Sequence, residues 1–163
     1  MRVGIMGDTH GDIPSIRQAV GQAASQAGPI DIWLHTGDFC RDARVLTELA
    51  GIPVITVAGN CDGRAAAKPD EFVELAGFLF WLTHGHQHRV KQDLKEIETW
   101  ALRYEADVVV YGHTHQALAE TQSGILFFNP GSTSAPRRGK NRTFGVIELF
   151  GAGKLLPRLI SLP

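Results

Sequence analysis

The chain has little cysteine, no long apolar run and almost no net charge. Its two cysteines, Cys40 and Cys61, are too few for a disulfide framework, so we interpret both as free thiols. No stretch approaches the ~18 apolar residues of a membrane-spanning helix, and no secretory signal follows Met1. We therefore expect a cytoplasmic protein. A formal net charge of -1 also disfavours binding to membranes or to bulk nucleic acid through electrostatics.

The length and composition are those of one globular unit. The chain has 163 residues, of which 44% are hydrophobic, and this is enough to bury a substantial core. No internal repeat, low-complexity tract or linker divides it. We expect a single domain over residues 1–163.

The first part of the chain alternates strands and helices. After an apolar run at residues 3–6, a helical pattern begins behind Asp12, a predicted N-cap, and ends at Gly28-Pro29. Strands at residues 32–34 and 54–57 flank a short helix at 43–50, which is the βαβαβ order of a parallel sheet.

The remainder of the chain consists mainly of predicted strands. A hairpin is expected through Ala76-Gly77, and a helix at residues 93–105 leads into a strand at 108–111. The last predicted strands lie at residues 118–121, 125–128, 144–149 and 155–160. The pattern favours an α/β protein with two sheets packed face to face and helices outside.

Polar groups follow five of the apolar runs directly. They are Asp8-Thr9-His10, Gly37-Asp38, Gly59-Asn60-Cys61-Asp62, His84-Gly85-His86 and Gly112-His113-Thr114-His115. Since the carboxyl ends of parallel strands meet at one edge of a sheet, these groups should converge there. Carboxylate, imidazole and amide oxygen together are suited to metal ions, so the sequence predicts a metalloenzyme.

These five groups, in this order and spacing, resemble the motif set of the calcineurin-like metallophosphoesterases. The short length, Asn60-Cys61-Asp62 and Asn129-Pro130-Gly131-Ser132 are similar to the small YfcE-like phosphodiesterase branch of that superfamily. The resemblance extends from Met1 to about Ser132. It implies a four-layer αββα sandwich of two mixed β-sheets.

The resemblance also implies a site with two metal ions. Asp8, His10 and His115 would hold the first ion. Asn60, His84 and His113 would hold the second, and Asp38 would bridge the pair. Two cations ~3.5–4 Å apart need a shared anionic oxygen, which a carboxylate supplies. Nitrogen and oxygen ligands without thiolate favour Mn²⁺, Fe²⁺, Co²⁺, Ni²⁺ or Zn²⁺ over Ca²⁺ or Mg²⁺, and we expect Mn²⁺ first.

The expected reaction is hydrolysis of a phosphodiester by a hydroxide that bridges the two metals. Asp62 would accept a hydrogen bond from a neighbouring imidazole or a loop amide and so orient the site. His86 matches the family motif and would touch the substrate phosphate or the ligands of the second metal. Cys61 stands where many members of the superfamily carry a proton-donating histidine, and an ordinary thiol with a pKa of ~8.5 is a poorer acid near neutral pH.

Further polar residues lie near these motifs. His35 is interpreted as a satisfied core histidine or one that supports the ligands, and His88 as solvated. A basic loop follows the last motif, and we interpret it as solvated rather than as a clamp on substrate phosphate or nucleotide. Its residues are Arg137, Arg138, Lys140 and Arg142.

Two other functions remain open. One is a phosphomonoesterase or phosphoprotein phosphatase that uses the same site, and the other is a protein-binding scaffold on the same fold. We prefer an open site for a small phosphodiester, possibly a nucleotide, because no cap segment is visible to enclose a smaller substrate. Strands such as residues 78–82, if exposed, could pair between subunits of a homo-oligomer.

Overall fold

The computed structural model describes residues 1–63, 66–137, 139–151 and 153–163. The elements follow the predicted order, with small differences at their ends. The helices are α1 (Ile13–Gln26), α2 (Asp42–Ala50) and α3 (Lys95–Arg103). The strands are β1 (Arg2–Met6), β2 (Ile32–His35), β3 (Val54–Thr56), β4 (Asp70–Leu75), β5 (Phe78–Thr83), β6 (Val108–Val110), β7 (Ala117–Gln122), β8 (Ile125–Pro130), β9 (Thr143–Phe150) and β10 (Lys154–Ser161). A short 3₁₀ turn, His86–His88, was not predicted.

The strands form two mixed sheets of five strands each. The first has the order β10-β9-β1-β2-β3, in which β1, β2 and β3 are parallel and β9 and β10 run antiparallel to their neighbours. The second has the order β4-β5-β6-β8-β7, with parallel strands β5, β6 and β8 between two antiparallel edges. The carboxyl ends of the parallel strands therefore lie at one edge of each sheet.

Three apolar clusters define four layers. Side chains such as Ile5 and Phe80 fill the space between the two sheets. The outer face of the first sheet packs against α1 and α2, for example through Trp33, and the outer face of the second packs against α3 through Trp81 and Ile97. Phe80 and Trp81 are adjacent in β5 and point to opposite faces, as strand geometry requires. The predicted αββα sandwich is confirmed.

Helix α1 forms where its sequence predicts it. Asp12 caps the amino terminus, since its side chain accepts a hydrogen bond from the Ser15 amide at 3.1 Å. Ile16, Ala19 and Ala23 recur at helical spacing and are buried against the first sheet. The helix fixes the loop that precedes it, which carries two of the expected metal ligands.

Strand β5 corrects one expectation. Residues 78–82 do not form an exposed strand that could pair between subunits, because β5 is hydrogen-bonded to β4 on one side and to β6 on the other. Its side chains are almost all buried. A continuous apolar run without polar alternation is typical of such a central strand, which is covered on both faces. Among the described residues, none of the helices has the length and apolar character needed to cross a bilayer.

Candidate metal centre

All seven expected metal ligands lie in loops that directly follow strands. Asp8 and His10 follow β1, Asp38 follows β2, Asn60 follows β3, His84 follows β5, and His113 and His115 follow β6. Five of them have left-handed backbone angles, although none is glycine: φ is 49° at Asp8, 47° at His10, 53° at Asp38, 66° at His113 and 56° at His115. Such angles cost energy for residues with a side chain and concentrate at functional sites.

The first group of donors consists of Asp8, His10, Asp38 and His115, whose ligand atoms all lie within 4.8 Å of one another. The His115 ring donates its Nδ1 proton to the carbonyl of Ala135 at 2.5 Å. In the neutral ring Nε2 therefore presents a lone pair, and it lies 3.2 Å from Asp8 Oδ1 and 3.4 Å from His10 Nε2. Asp8 Oδ1 is buried and accepts no hydrogen bond from the described residues.

A second group of acceptors lies on the other side of Asp38. His84 donates its Nδ1 proton to the carbonyl of Thr36 at 2.7 Å, which leaves the lone pair on Nε2. That atom lies 3.1 Å from Asn60 Oδ1 and 3.5 Å from Asp38 Oδ1. The His113 ring contacts the His84 ring, with centroids 5.1 Å apart. Convergent acceptors without a proton between them fit a cation, so the residues present suit a divalent metal at each group.

The electrostatic environment favours the metal-binding forms of two of these side chains. Burial lowers the pKa of His113 to about 4, with the neighbouring His84 and Lys91 acting in the same direction. Burial alone would raise the pKa of Asp38, but the hydrogen bond from the Cys61 amide and the nearby His84 outweigh it, so the pKa is lowered. Near neutral pH His113 is therefore neutral and Asp38 is ionised.

His115 is different because in its protonated form Nε2 would donate a hydrogen bond to Asp8, and this bond and the negative charge of Asp8 raise the pKa of His115 against the effect of burial. A proton on Nε2 would occupy the position that suits a cation. Proton and metal should compete at this pair.

The Asn60-Cys61-Asp62 loop is tied to the loop that carries Asp38. The Cys61 amide donates to Asp38 Oδ1 at 2.8 Å. Asp62 accepts hydrogen bonds from the amides of Cys40 and Gly59, each at 2.9 Å, and so connects two loops of the site. Burial and the neighbouring Asp38 raise the pKa of the Cys61 thiol to about 11. Both cysteines are free thiols, as predicted.

The other histidines have distinct environments. His86 is half-buried with its ring centroid 5.3 Å from that of His84, and burial lowers its pKa. His35 is fully buried, as expected for a core histidine. The interpretation of His88 as solvated is wrong, because the 3₁₀ turn folds its ring against Trp81 at a centroid distance of 5.1 Å. Its Nδ1 atom is buried.

A buried hydrogen-bond network behind the first group was not predicted. The Gly37 amide donates to His35 Nδ1 at 3.3 Å, so the His35 proton resides on Nε2. From there the network runs through the Thr9 hydroxyl, 3.1 Å away, which donates to Asp42 Oδ2 at 2.6 Å. The same carboxylate oxygen accepts from the Gly11 amide at 2.8 Å. Polar residues beside the metal motifs were the only sequence signal for this network.

Hydrogen bonds from a third loop support Asp8 and the His113 turn. The hydroxyls of Ser132 and Ser134 both donate to the carbonyl of Asp8, at 2.7 and 2.9 Å. Asn129 donates to the carbonyl of Gly112 at 2.9 Å. The Asn129-Pro130-Gly131-Ser132 motif therefore supports the backbone around the ligands.

Glycine is required where these loops approach one another closely. A Cβ atom on Gly112 would lie 2.5 Å from Thr36 Oγ1 and 2.8 Å from Asp8 Oδ2. On Gly59 it would lie 2.2 Å from Asp38 Oδ1. Neither glycine has a left-handed φ, so the constraint at both is space for the neighbouring carboxylate.

The basic loop divides into residues with different positions. Arg142 reaches Ser15, at 2.9 Å, and the carbonyl of Pro163, and so anchors the carboxyl terminus. Arg137 instead donates from Nε to the carbonyl of Thr114 at 2.9 Å, beside the His113 and His115 ligands. Lys140 is exposed as expected, and Arg138 lies outside the described residues.

The chain is similar to known proteins over almost its whole length. The model of the calcineurin-like phosphoesterase superfamily domain matches residues 1–151. The probable metallophosphoesterase YsnB of Bacillus subtilis is 32% identical over 149 residues, which cover 91% of this chain and 85% of YsnB. Phosphodiesterase YfcE of Escherichia coli is 36% identical over 103 residues, 58% of this chain and 52% of YfcE.

Two solved structures illustrate the likeness in fold. That of an archaeal phosphodiesterase has a TM-score of 0.80 at 28% identity and covers 99% of this chain and 100% of its own. That of Vps29 from Entamoeba histolytica, complexed with zinc, has a TM-score of 0.75 at 20% identity and covers 99% of each chain. At the latter identity the similarity concerns the fold alone.

Proposed function

Since the chain belongs to the calcineurin-like phosphoesterase superfamily, as its motifs predicted, we propose that it is a phosphodiesterase that works with two divalent metal ions. Relatives named as a phosphodiesterase and as a probable metallophosphoesterase support phosphoester hydrolysis as the reaction. The observation that carries the proposal is the presence of two groups of converging nitrogen and oxygen ligand atoms that share Asp38.

Each residue has a definite part in this scheme. Asp8, His10 and His115 would hold one metal, and Asn60, His84 and His113 would hold the other. Asp38 would serve both groups. The backbone carbonyls of Thr36 and Ala135 fix the tautomers of His84 and His115, so that Nε2 of each faces the centre. Divalent ions in such a pair supply a water of lowered pKa and positive charge for the phosphoryl oxygens. The nitrogen and oxygen ligands suit Mn²⁺, Fe²⁺, Co²⁺, Ni²⁺ or Zn²⁺, and we propose Mn²⁺ as the first metal to test.

No side chain is required as the nucleophile. In the metal-free protein burial and the neighbouring Asp38 raise the thiol pKa of Cys61 to about 11. Its contact in the site is the amide hydrogen bond to Asp38 Oδ1 at 2.8 Å. We therefore propose that Cys61 supports Asp38 through its amide, and that the enzyme prefers esters with a good leaving group because a thiol replaces the proton-donating histidine of many superfamily members.

The substitution Asp38→Asn tests the proposal most directly, because it removes the carboxylate that belongs to both groups. We expect the variant to lose paired metal binding and at least ~100-fold in kcat/KM. Metal content is measured by elemental analysis after reconstitution with Mn²⁺, and activity with bis(4-nitrophenyl) phosphate and 4-nitrophenyl phosphate. Asp31→Asn is the matched control, since Asp31 is exposed at the amino end of β2, opposite to the Asp38 loop.

The two substrates separate the remaining alternatives. A faster reaction with the diester supports the phosphodiesterase, whereas a faster reaction with the monoester indicates a phosphomonoesterase. If the reconstituted protein binds no metal and hydrolyses neither ester, the proposal fails and a protein-binding scaffold on the same fold becomes the better interpretation.

A further inference from the structure

A large cleft adjoins the metal centre on the outer face of the second sheet. It has a volume of about 810 Å³ and lies between residues 90–98 and strand β7. Thr114, which stands between the expected ligands His113 and His115, forms part of its wall. Volumes of this size accommodate ligands as large as a nucleotide. The cleft is therefore large enough for the organic part of a substrate whose phosphate lies at the metals.

The floor of the cleft is apolar with one hydroxyl group. Val90, Leu94 and Leu118 provide apolar surface, and the ring of Tyr111 is 2% exposed. The Tyr111 hydroxyl can donate a hydrogen bond. Among the hydrogen bonds of the described residues, none involves this hydroxyl. An apolar surface with an unused donor suits a ring or sugar that carries an acceptor.

Two cations lie at the end of the cleft nearest the metals. Arg137 is held there by its hydrogen bond to Thr114, and its amide donates to the carbonyl of His115 at 3.4 Å. Lys91 lines the same end, next to Val90, whose side chain packs against Gly85 beside the expected ligand His84. Neither cation takes part in an ion pair with the described residues, whereas Lys95 further along is 4.0 Å from Asp93.

The opposite end of the cleft has the opposite charge. Glu98 and Glu120 line it, and Glu98 accepts a hydrogen bond from Ser123 at 2.6 Å. A phosphate would be repelled there and attracted to Arg137 and Lys91. The charge distribution therefore orients an anionic ligand with its phosphate beside the metal centre.

We propose that this cleft binds the alcohol portion of the substrate, and that Lys91 and Arg137 bind a second phosphate attached to it. The preferred substrates are then phosphodiesters that carry one more phosphate, such as a nucleoside 5′-diester with a 3′-phosphate. This inference rests on the proposed function and specifies its substrate class.

The test compares two chromogenic diesters that differ only in the second phosphate. These are thymidine 5′-(4-nitrophenyl phosphate) and its 3′-phosphorylated form, assayed with the Mn²⁺-reconstituted protein. We expect the wild type to prefer the 3′-phosphorylated diester ~10-fold in kcat/KM, because hydrogen bonds between charged groups stabilise a complex by an amount that corresponds to about this factor. In Lys91→Gln/Arg137→Gln the preference should fall below ~2-fold. Lys154→Gln, at the far end of the sandwich, is the matched control and should keep the full preference.

A binding measurement separates this inference from the proposed function. Isothermal titration calorimetry with thymidine 3′,5′-bisphosphate and thymidine 5′-monophosphate measures binding without hydrolysis. The bisphosphate should bind ~10-fold more tightly than the monophosphate only when both Lys91 and Arg137 are present. Tighter binding without hydrolysis of any ester would support the cleft and refute the phosphodiesterase. Hydrolysis with no preference in the wild type, or a preference that survives the double substitution, would overturn the role of Lys91 and Arg137.

Discussion

Replacing Thr9 with valine isolates the contribution of the buried network behind the metal centre. Valine has the shape of threonine without the hydroxyl group, so packing is nearly preserved. The hydroxyl lies between His35 and Asp42, accepting from the first at 3.1 Å and donating to the second at 2.6 Å. All three side chains are buried, with exposures of 0% for Thr9 and His35 and 3% for Asp42. Water therefore cannot replace the lost hydrogen bonds.

The expected loss of stability follows from the two lost hydrogen bonds. His35 Nε2 is left without a partner, and Asp42 Oδ2 keeps only the hydrogen bond from the Gly11 amide. A buried polar group that loses its hydrogen bond costs about 1–3 kcal/mol, and the cost is larger when the group is charged, like Asp42. His35 cannot compensate by binding a proton, because burial lowers its pKa to about 4. We expect Thr9→Val to destabilise the fold by about 3 kcal/mol. In a chain of this length, each kcal/mol lowers Tm by roughly 2–4 °C.

Thr133→Val is the matched control for this substitution. Thr133 is also fully buried, but its hydroxyl makes no hydrogen bond to the described residues. Its replacement should be neutral or slightly stabilising. Urea unfolding of the metal-free proteins, with unchanged m-values, measures both effects. Equal midpoints for the two variants would refute the importance of the Thr9 network.

Two further predictions follow from the site. In metal-free Cys40→Ala protein, Cys61 should react with iodoacetamide about 100-fold more slowly at pH 8 than an ordinary thiol, because its pKa of about 11 keeps the thiol protonated. The reaction rate should continue to rise with pH up to about pH 11. A midpoint of the rate profile near pH 8.5 would contradict this prediction. Gly112→Ala should lower Mn²⁺ affinity at least ~10-fold, since its Cβ would lie 2.8 Å from Asp8 Oδ2, as titration calorimetry would show. Gly21→Ala is the control: Gly21 lies in α1 with no atom within 4 Å of an added Cβ, so this variant should stabilise the fold by ~0.5–1 kcal/mol. An unchanged Mn²⁺ affinity in Gly112→Ala would argue against the tight contact with Asp8.

The order of the strands and the expected ligands are readable from local pattern. Apolar runs that end in Asp8, Asp38, Asn60, His84 and His113 predict strands followed by functional loops, and parallel pairing then predicts a common edge. The helix behind Asp12 is equally local, because its cap and its apolar spacing lie within one segment. These features need only short-range periodicity and the rule that strand ends of a parallel sheet coincide.

Other features depend on contacts that local pattern does not contain. The 3₁₀ turn that packs the His88 ring against Trp81 has no clear signal in the sequence, because its residues are polar and its partner lies in β5. Likewise, the hairpin at Ala76-Gly77 predicts that β4 pairs with residues 78–82, but local pattern does not reveal that β6 pairs with the other edge of that strand. Arg137 and Arg142 look alike in a basic run, yet one lies at Thr114 and the other at Ser15 and the carboxyl terminus.

Residue types and their spacing were therefore sufficient to predict that acceptor groups would gather at one edge of the sandwich. The tautomers of His84 and His115, the network through Thr9 and the cleft above Tyr111 emerge only when the two sheets pack together. The physical reason is that periodicity specifies which face of a strand is buried, whereas a hydrogen bond between residues 26 or 48 positions apart requires both loops to be in place.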